Sequence, residues 1–275
     1  MPRFMVRQTN RLPTPNAPTM TKDRNDGLTI AAIGLIAMCL VTFDHEVLGH
    51  GSACLLLHGH ISLLTSSLFR CDVLSNWIDP AGPLGNLLMG TLALVGARIL
   101  PARWVGLQLF LIVVTAFSYF WESAYVADAM YRRFGDLYFF ARFMLGDLAL
   151  WQRWAAALVG VAFYVFTIQL TSRALLNLWP DAAVARRAAR TVWISATLGA
   201  GIAALAYQGQ GWGDFRDAVL EIGAASLPLL FIPRGTRDTT QPAMPLTRSP
   251  VTIVLAMVIF AVFAATLGRG IGTSN

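Results

Sequence analysis

Six ionisable side chains interrupt the longest apolar run of the chain. The stretch VTFDHEVLGHGSACLLLHGH carries Asp44, His45, Glu46, His50, His58 and His60, and these four histidines are all that the 275 residues contain. Ionisable groups in sequence of this kind are candidates for function; the plainer alternative is a solvated helix end. Imidazoles with a neighbouring carboxylate suit zinc hydrolysis. Two histidines on one helix face bind the ion, and the carboxylate takes a proton from activated water. His-Glu-x-x-His achieves this by placing the histidines four residues apart. Here the order is His45-Glu46-Val47-Leu48-Gly49-His50, one residue longer. At about 100° per residue a regular helix separates His45 from His50 by about 140°, and Glu46 from His50 by only about 40°.

Two arrangements reconcile this spacing with a metal. The extra residue can be absorbed in a π-bulge, eased by Gly49, leaving His45 and His50 as ligands and Glu46 as the base. Alternatively the helix is regular, Glu46 and His50 bind, and His45 or Asp44 supports them from behind. We favour the first. His58 and His60 flank Gly59, where the helix should end, and read as surface residues.

HEVLGHG resembles the His-Glu-x-Gly-His stretch of the site-two protease family, the intramembrane zinc metalloproteases, with one residue inserted. Two further pieces agree in order. ISLLTSSLF (61–69) fits the short extended segment that commonly follows the motif. DPAGPLGNLLMG (79–90) is similar to the family's Ala-Gly-Pro-Leu-Ala-Asn-Leu-Leu stretch through Ala81, Gly82, Pro83, Leu84, Asn86, Leu87 and Leu88. The resemblance covers roughly residues 30–150. It implies Zn2+ as cofactor and, as third ligand, an aspartate on a later segment. The family's Pro-rich Leu-Asp-Gly stretch is absent, but two Gly-Asp pairs stand in its place. Asp147 is the expected ligand because it directly precedes a strong apolar span, whereas Asp136 sits beside Arg132 and Arg133; Asp128 and Glu122 are lesser candidates. Asn86 is either part of the site wall or a helix–helix hydrogen bond.

The elements that must position these groups are membrane helices. The chain is 56% hydrophobic and 13% charged, against roughly 25% charged in soluble domains. Its apolar runs are solid rather than alternating, which excludes a barrel. The expected fold is an all-α polytopic membrane protein with about six to seven transmembrane helices and a short extended segment after the first. Spans are expected near 28–57, 80–100, 104–122, 154–171, 191–208, 217–232 and 250–268. Residues 1–26 read as a disordered cytosolic tail rather than a signal peptide, 27–153 as the metalloprotease-like core and 154–275 as additional helices. Segment 123–153, both apolar and charged, reads as buried or re-entrant. Glu221 and Asp214 read as solvated at a membrane edge.

The net charge of +6 comes almost wholly from arginines in short loops, a topology signal rather than a nucleic-acid site. With the N-terminus cytoplasmic, the tail and alternate loops hold 14 of the 21 basic residues. The expected location is a plasma membrane, the bacterial inner membrane. Cys39, Cys54 and Cys71 lack CxxC spacing and read as packing residues. Together these features lead to a membrane-embedded zinc metalloprotease, with His45, His50 and Asp147 on the metal and Glu46 as general base. Its partners would be the bilayer and a membrane protein or peptide substrate. An inactive descendant serving as a scaffold, or a small metal- or proton-handling transporter, are the competing readings; the inverted repeats that favour transport are not evident.

Overall fold

The structure is a computed structural model that describes residues 25–207, 209, 212–235 and 244–272; most of the expected tail lies outside the described residues. Helix α1 runs from Gly27 to Leu56 and is followed by a hairpin of β1 (Ile61–Leu64) and β2 (Phe69–Cys71). Next come α2 (Ala81–Ile99), α3 (Val105–Arg132), α4 (Asp136–Leu145), α5 (Leu150–Leu178) and α6 (Ala182–Ala204). Helix α7 (Trp212–Ala218) continues into a π-turn (Val219–Ala224) and a 3-10 turn (Leu227–Leu230), and α8 spans Pro250–Gly268.

Four of these helices, α1, α3, α5 and α8, are long and apolar enough to cross a membrane. Their outer faces carry apolar side chains that a water-soluble protein would bury, such as Leu158, Val165, Val254 and Val258. The expected span at 104–122 is the first part of a longer helix, and that at 154–171 the middle of another. Residues 123–153 are correspondingly not a re-entrant loop: they form the last turns of α3, the short α4 and the first turn of α5. The expected span at 217–232 is broken. Its π-turn and Pro228 interrupt the α-ladder, since proline supplies no N–H to continue it.

The core lies where α1, α3 and α6 meet. Alanines 185, 188, 189, 196, 200 and 203 of α6 are buried at helical spacing, and this small-residue stripe lets backbones approach closely. A Cβ on Gly34 of α1 would lie 2.8 Å from the Val192 carbonyl oxygen. Met38, Val41, Phe117 and Phe120 fill the remaining volume.

Hydrogen bonds define two ends of the bundle. At one, the Asp26 N–H donates to the Leu246 carbonyl (2.9 Å) and the Trp179 indole to the Met244 carbonyl (3.3 Å). At the other, Leu64 of β1 and Ile271, just past α8, exchange two backbone bonds of 2.8 Å. Two cysteines correct the packing expectation. Cys54 at the end of α1 and Cys71 of β2 form a disulfide, while Cys39 is buried and free. Seventeen residues apart in sequence, they meet because the hairpin folds back on α1.

Candidate metal centre

A regular α-helix cannot aim His45 and His50 at one point, and α1 does not stay regular. From Asp44 to Gly51 it is π-helical, the i to i+5 pattern that absorbs one added residue. The two Nε2 atoms then face each other at 3.3 Å. Of the two arrangements the spacing permits, the structure has the one that pairs the imidazoles. Gly49 has a further reason to be glycine: a Cβ there would lie 2.5 Å from the Gly82 Cα and 2.7 Å from the Ala81 carbonyl oxygen. Helix α1 and the first turn of α2 thus touch backbone to backbone. A Cβ on Gly82 would in turn sit 2.4 Å from His50 Nε2 and 2.7 Å from His45 Nε2.

The third group is Asp136, not Asp147. Asp136 Oδ2 lies 3.4 Å from His50 Nε2, and the three candidate ligand atoms of His45, His50 and Asp136 are all within 4.8 Å of one another. The Tyr125 hydroxyl secures it, donating to Asp136 Oδ2 (3.1 Å) and accepting from the Asp136 N–H (2.9 Å). Asp147 is 87% exposed and pairs with Arg142 at 2.9 Å. The neighbouring arginine expected to claim Asp136 pairs elsewhere, Arg132 with Asp128 one turn earlier on α3.

Both imidazoles are oriented from behind. His50 Nδ1 is 2.8 Å from the Ile78 carbonyl; a carbonyl only accepts, so Nδ1 carries the hydrogen and Nε2 points forward. His45 Nδ1 is 3.2 Å from Glu122 Oε1, which also accepts from Asn86 Nδ2 at 2.7 Å. A carboxylate behind a histidine in this way fixes tautomer and ring angle in metal sites. Trp121 stacks on His45 with centroids 4.5 Å apart, and Phe69 of β2 on His50 at 5.5 Å. Asn86 therefore belongs to the site wall and bridges helices as well. Glu122, Trp121, Tyr125 and the Ile78 carbonyl carry no signature in the sequence, because helices distant along the chain supply them.

His50 Nδ1 is committed to the Ile78 carbonyl, while His45 Nδ1 lies between Glu122 Oε1 and the Asn86 amide nitrogen at 3.1 Å, so the His50 Nε2 lone pair, His45 Nε2 and the Asp136 carboxylate converge where one cation would be shared by all three. A proton on His50 could serve only one of its two neighbours at a time. A metal ion could serve all three: the two Nε2 atoms are 3.3 Å apart and Asp136 Oδ2 is 3.4 Å from His50 Nε2, spacings compatible with shared tetrahedral coordination. The donor set also suits zinc, with imidazole nitrogen and carboxylate oxygen.

Glu46, 4% exposed, is the next residue after His45, and its Oε2 has no hydrogen-bond partner among the described residues. With His45 and His50 it faces a cavity of about 860 Å³, within the size range of small-molecule and cofactor sites. The hairpin turn at 67–69, the outer part of α3, the start of α4, α5 and the π-turn after α7 enclose it. Glu221 lies on that π-turn and lines the cavity, and Asp214 is buried rather than solvated. Asp79 stands at the mouth, where burial and the charge of Asp136 push its carboxyl up to about 6. His58 and His60 are exposed as expected, His60 against Asp72 at 3.3 Å. Comparison with protein families, with curated proteins and with solved structures finds no match to this chain.

Proposed function

We propose that the protein is a membrane-embedded zinc metalloprotease that hydrolyses peptide bonds of membrane-spanning or membrane-proximal substrates. On this reading it crosses a plasma membrane six or seven times, with α2, α6 and the broken segment at 212–230 supplementing the four long apolar helices. The observation that carries it is the triangle of His45, His50 and Asp136, two of whose edges are compatible with shared tetrahedral coordination, with an unpartnered carboxylate one residue away. The hairpin after the motif and Asn86 beside His45 support the likeness to site-two proteases.

His45, His50 and Asp136 would hold the ion, which when bound supplies the Lewis acidity that polarises a carbonyl and activates water. Glu46 accepts the proton from water and returns it to the leaving amine. Its burial serves this role, since a carboxylate without a competing hydrogen bond is free to receive that proton. Glu122 and Asn86 hold the His45 ring, and the Ile78 carbonyl holds His50. A peptide would enter between the hairpin turn at 67–69 and α5, both of which line the cavity.

The test is Glu46→Gln, nearly isosteric and leaving the three ligands in place. Zinc content of the purified variant should equal that of the wild type. Cleavage of a single-span reporter should fall by ~10²-fold or more, the lower bound for a general base. Loss of zinc would make Glu46 a ligand; unchanged cleavage would end the assignment. A wild-type protein that holds zinc but cuts no membrane peptide would leave a metal-bearing scaffold.

A further inference from the structure

We propose that the metal site opens on the non-cytosolic, oxidising side of the membrane, so that its substrates are membrane-anchored proteins cut in the half of the bilayer nearest that side. The substrate class rests on the protease reading; the orientation does not. Two independent observations carry the orientation, and a third gives the depth of the site.

The first is the Cys54–Cys71 disulfide at the hairpin end of the bundle. Disulfides persist in oxidising compartments and are rare where thiols are kept reduced. It also has a position that matters, joining the end of the helix that carries both histidines to the strand whose Phe69 stacks on His50. The second is the distribution of basic residues. Arg98, Arg103, Arg173, Arg186, Arg187, Arg190, Arg234 and Arg248 lie at or near the end opposite the hairpin. The segments before position 25 and between 235 and 244 join the described chain at that end and carry six more basic residues in the sequence, against the seven, Arg70, Arg132, Arg133, Arg142, Arg153, Arg216 and Arg269, that belong to the elements of the hairpin end. Basic residues in short loops mark the cytosolic face, so the hairpin end is the outer one by a criterion that owes nothing to cysteine.

The third is depth. His45 and His50 precede Leu56, the last residue of α1, by 11 and 6 residues. At 1.5 Å per residue they sit about 17 and 9 Å below the hairpin end of the helix, which puts His50 in the outer half of a hydrocarbon core about 30 Å thick and His45 near its middle. The cavity continues outward from there, since Ser67, Asp79, Asp128, Arg132 and Arg216 line it at the hairpin end. Charged walls at that end provide a wet entrance, while the other side of the triad is closed by packed α1, α3 and α6.

Cysteine labelling of the full chain in intact cells tests the orientation. The native cysteines are silent, two bonded and one buried. Asn76→Cys, exposed between the hairpin and α2, should react with a membrane-impermeant maleimide, and Ala102→Cys, exposed between α2 and α3, only after permeabilisation. The reverse pattern overturns the proposal. The substrate class is tested with a single-span reporter cut by the wild-type protein and its fragments weighed. The cleaved bond should lie in the outer half of the span, and a bond in the cytosolic half overturns that part. Absence of any cleavage with the expected labelling would end the protease reading and leave the orientation standing.

Discussion

Gly82→Ala is the sharpest test of the site, because one methyl group would enter the space between α2 and the two imidazoles. Ordinary contact begins at 3.4 Å, and the added Cβ would lie 2.4 Å from His50 Nε2 and 2.7 Å from His45 Nε2. The overlaps are therefore about 1.0 and 0.7 Å, and they fall on the atoms that face the metal. Neither ring can retreat by rotating, since the Ile78 carbonyl holds one Nδ1 and Glu122 the other. Nor can α2 withdraw without opening the backbone contact between Gly82 and Gly49. Working metal sites tolerate displacements of about 0.5 Å, so both ligands would be driven out of range. Loss of an orienting partner alone typically costs 10–100-fold in affinity; displacing two ligands should exceed ~100-fold. Overpacking costs ~1–3 kcal/mol, offset by up to ~1 kcal/mol for alanine over glycine in a helix, so the fold should survive.

The assay is zinc per mole of detergent-purified protein after dialysis against a buffered range of free zinc, beside a thermal unfolding curve. Gly85→Ala is the control on the same helix. Its Cβ would meet nothing closer than Asp44 Oδ2 at 3.3 Å, a contact a side chain can relieve, and zinc binding should be unchanged. A folded Gly82→Ala protein with wild-type zinc affinity would refute the assignment of the two Nε2 atoms as ligands.

Glu122→Ala should weaken zinc binding by ~10–100-fold through loss of the partner behind His45, whereas Asp147→Asn, altering an exposed pair, should leave it unchanged; equal effects, measured by competition with a chromophoric chelator, would return the third ligand to Asp147. Asp79 gives a pH dependence in metal-stripped protein. Its carboxyl is raised from about 3.8 to about 6, so its contribution to stability is fully present below pH about 3.8 and lost as pH rises through about 6. Asp79→Asn should therefore raise the unfolding temperature at pH 8 and leave it unchanged at pH 4; a gain at pH 4 alone would contradict this.

How far the site could be read in advance depended on whether its parts are local or distant in the chain. The five-residue separation of His45 and His50 can serve one metal only if a helix widens, and the widened turn is there. The extended segment after the motif was legible, though not its return as a hairpin, and Asn86, left open between site wall and helix–helix bond, turns out to be both. The third ligand was not legible. Gly135-Asp136 and Gly146-Asp147 offer the same dipeptide; the local features that favoured Asp147, a following span and no adjoining arginine pair, do not decide between them, and α3 does. That helix runs ten residues beyond its expected end and delivers Tyr125 to Asp136. The charges on those last turns argued against a lipid-facing helix, but they face the cavity or pair with one another, as Arg132 does with Asp128. The disulfide and Glu221 were missed alike, since a folded-back hairpin places one and a broken helix the other. In each case the polar residues that looked out of place in an apolar chain share a wall of one cavity or tie down one of its walls. The same residue that made the motif irregular, the fifth step between His45 and His50, turned the helix so that Glu46 faces that cavity as well.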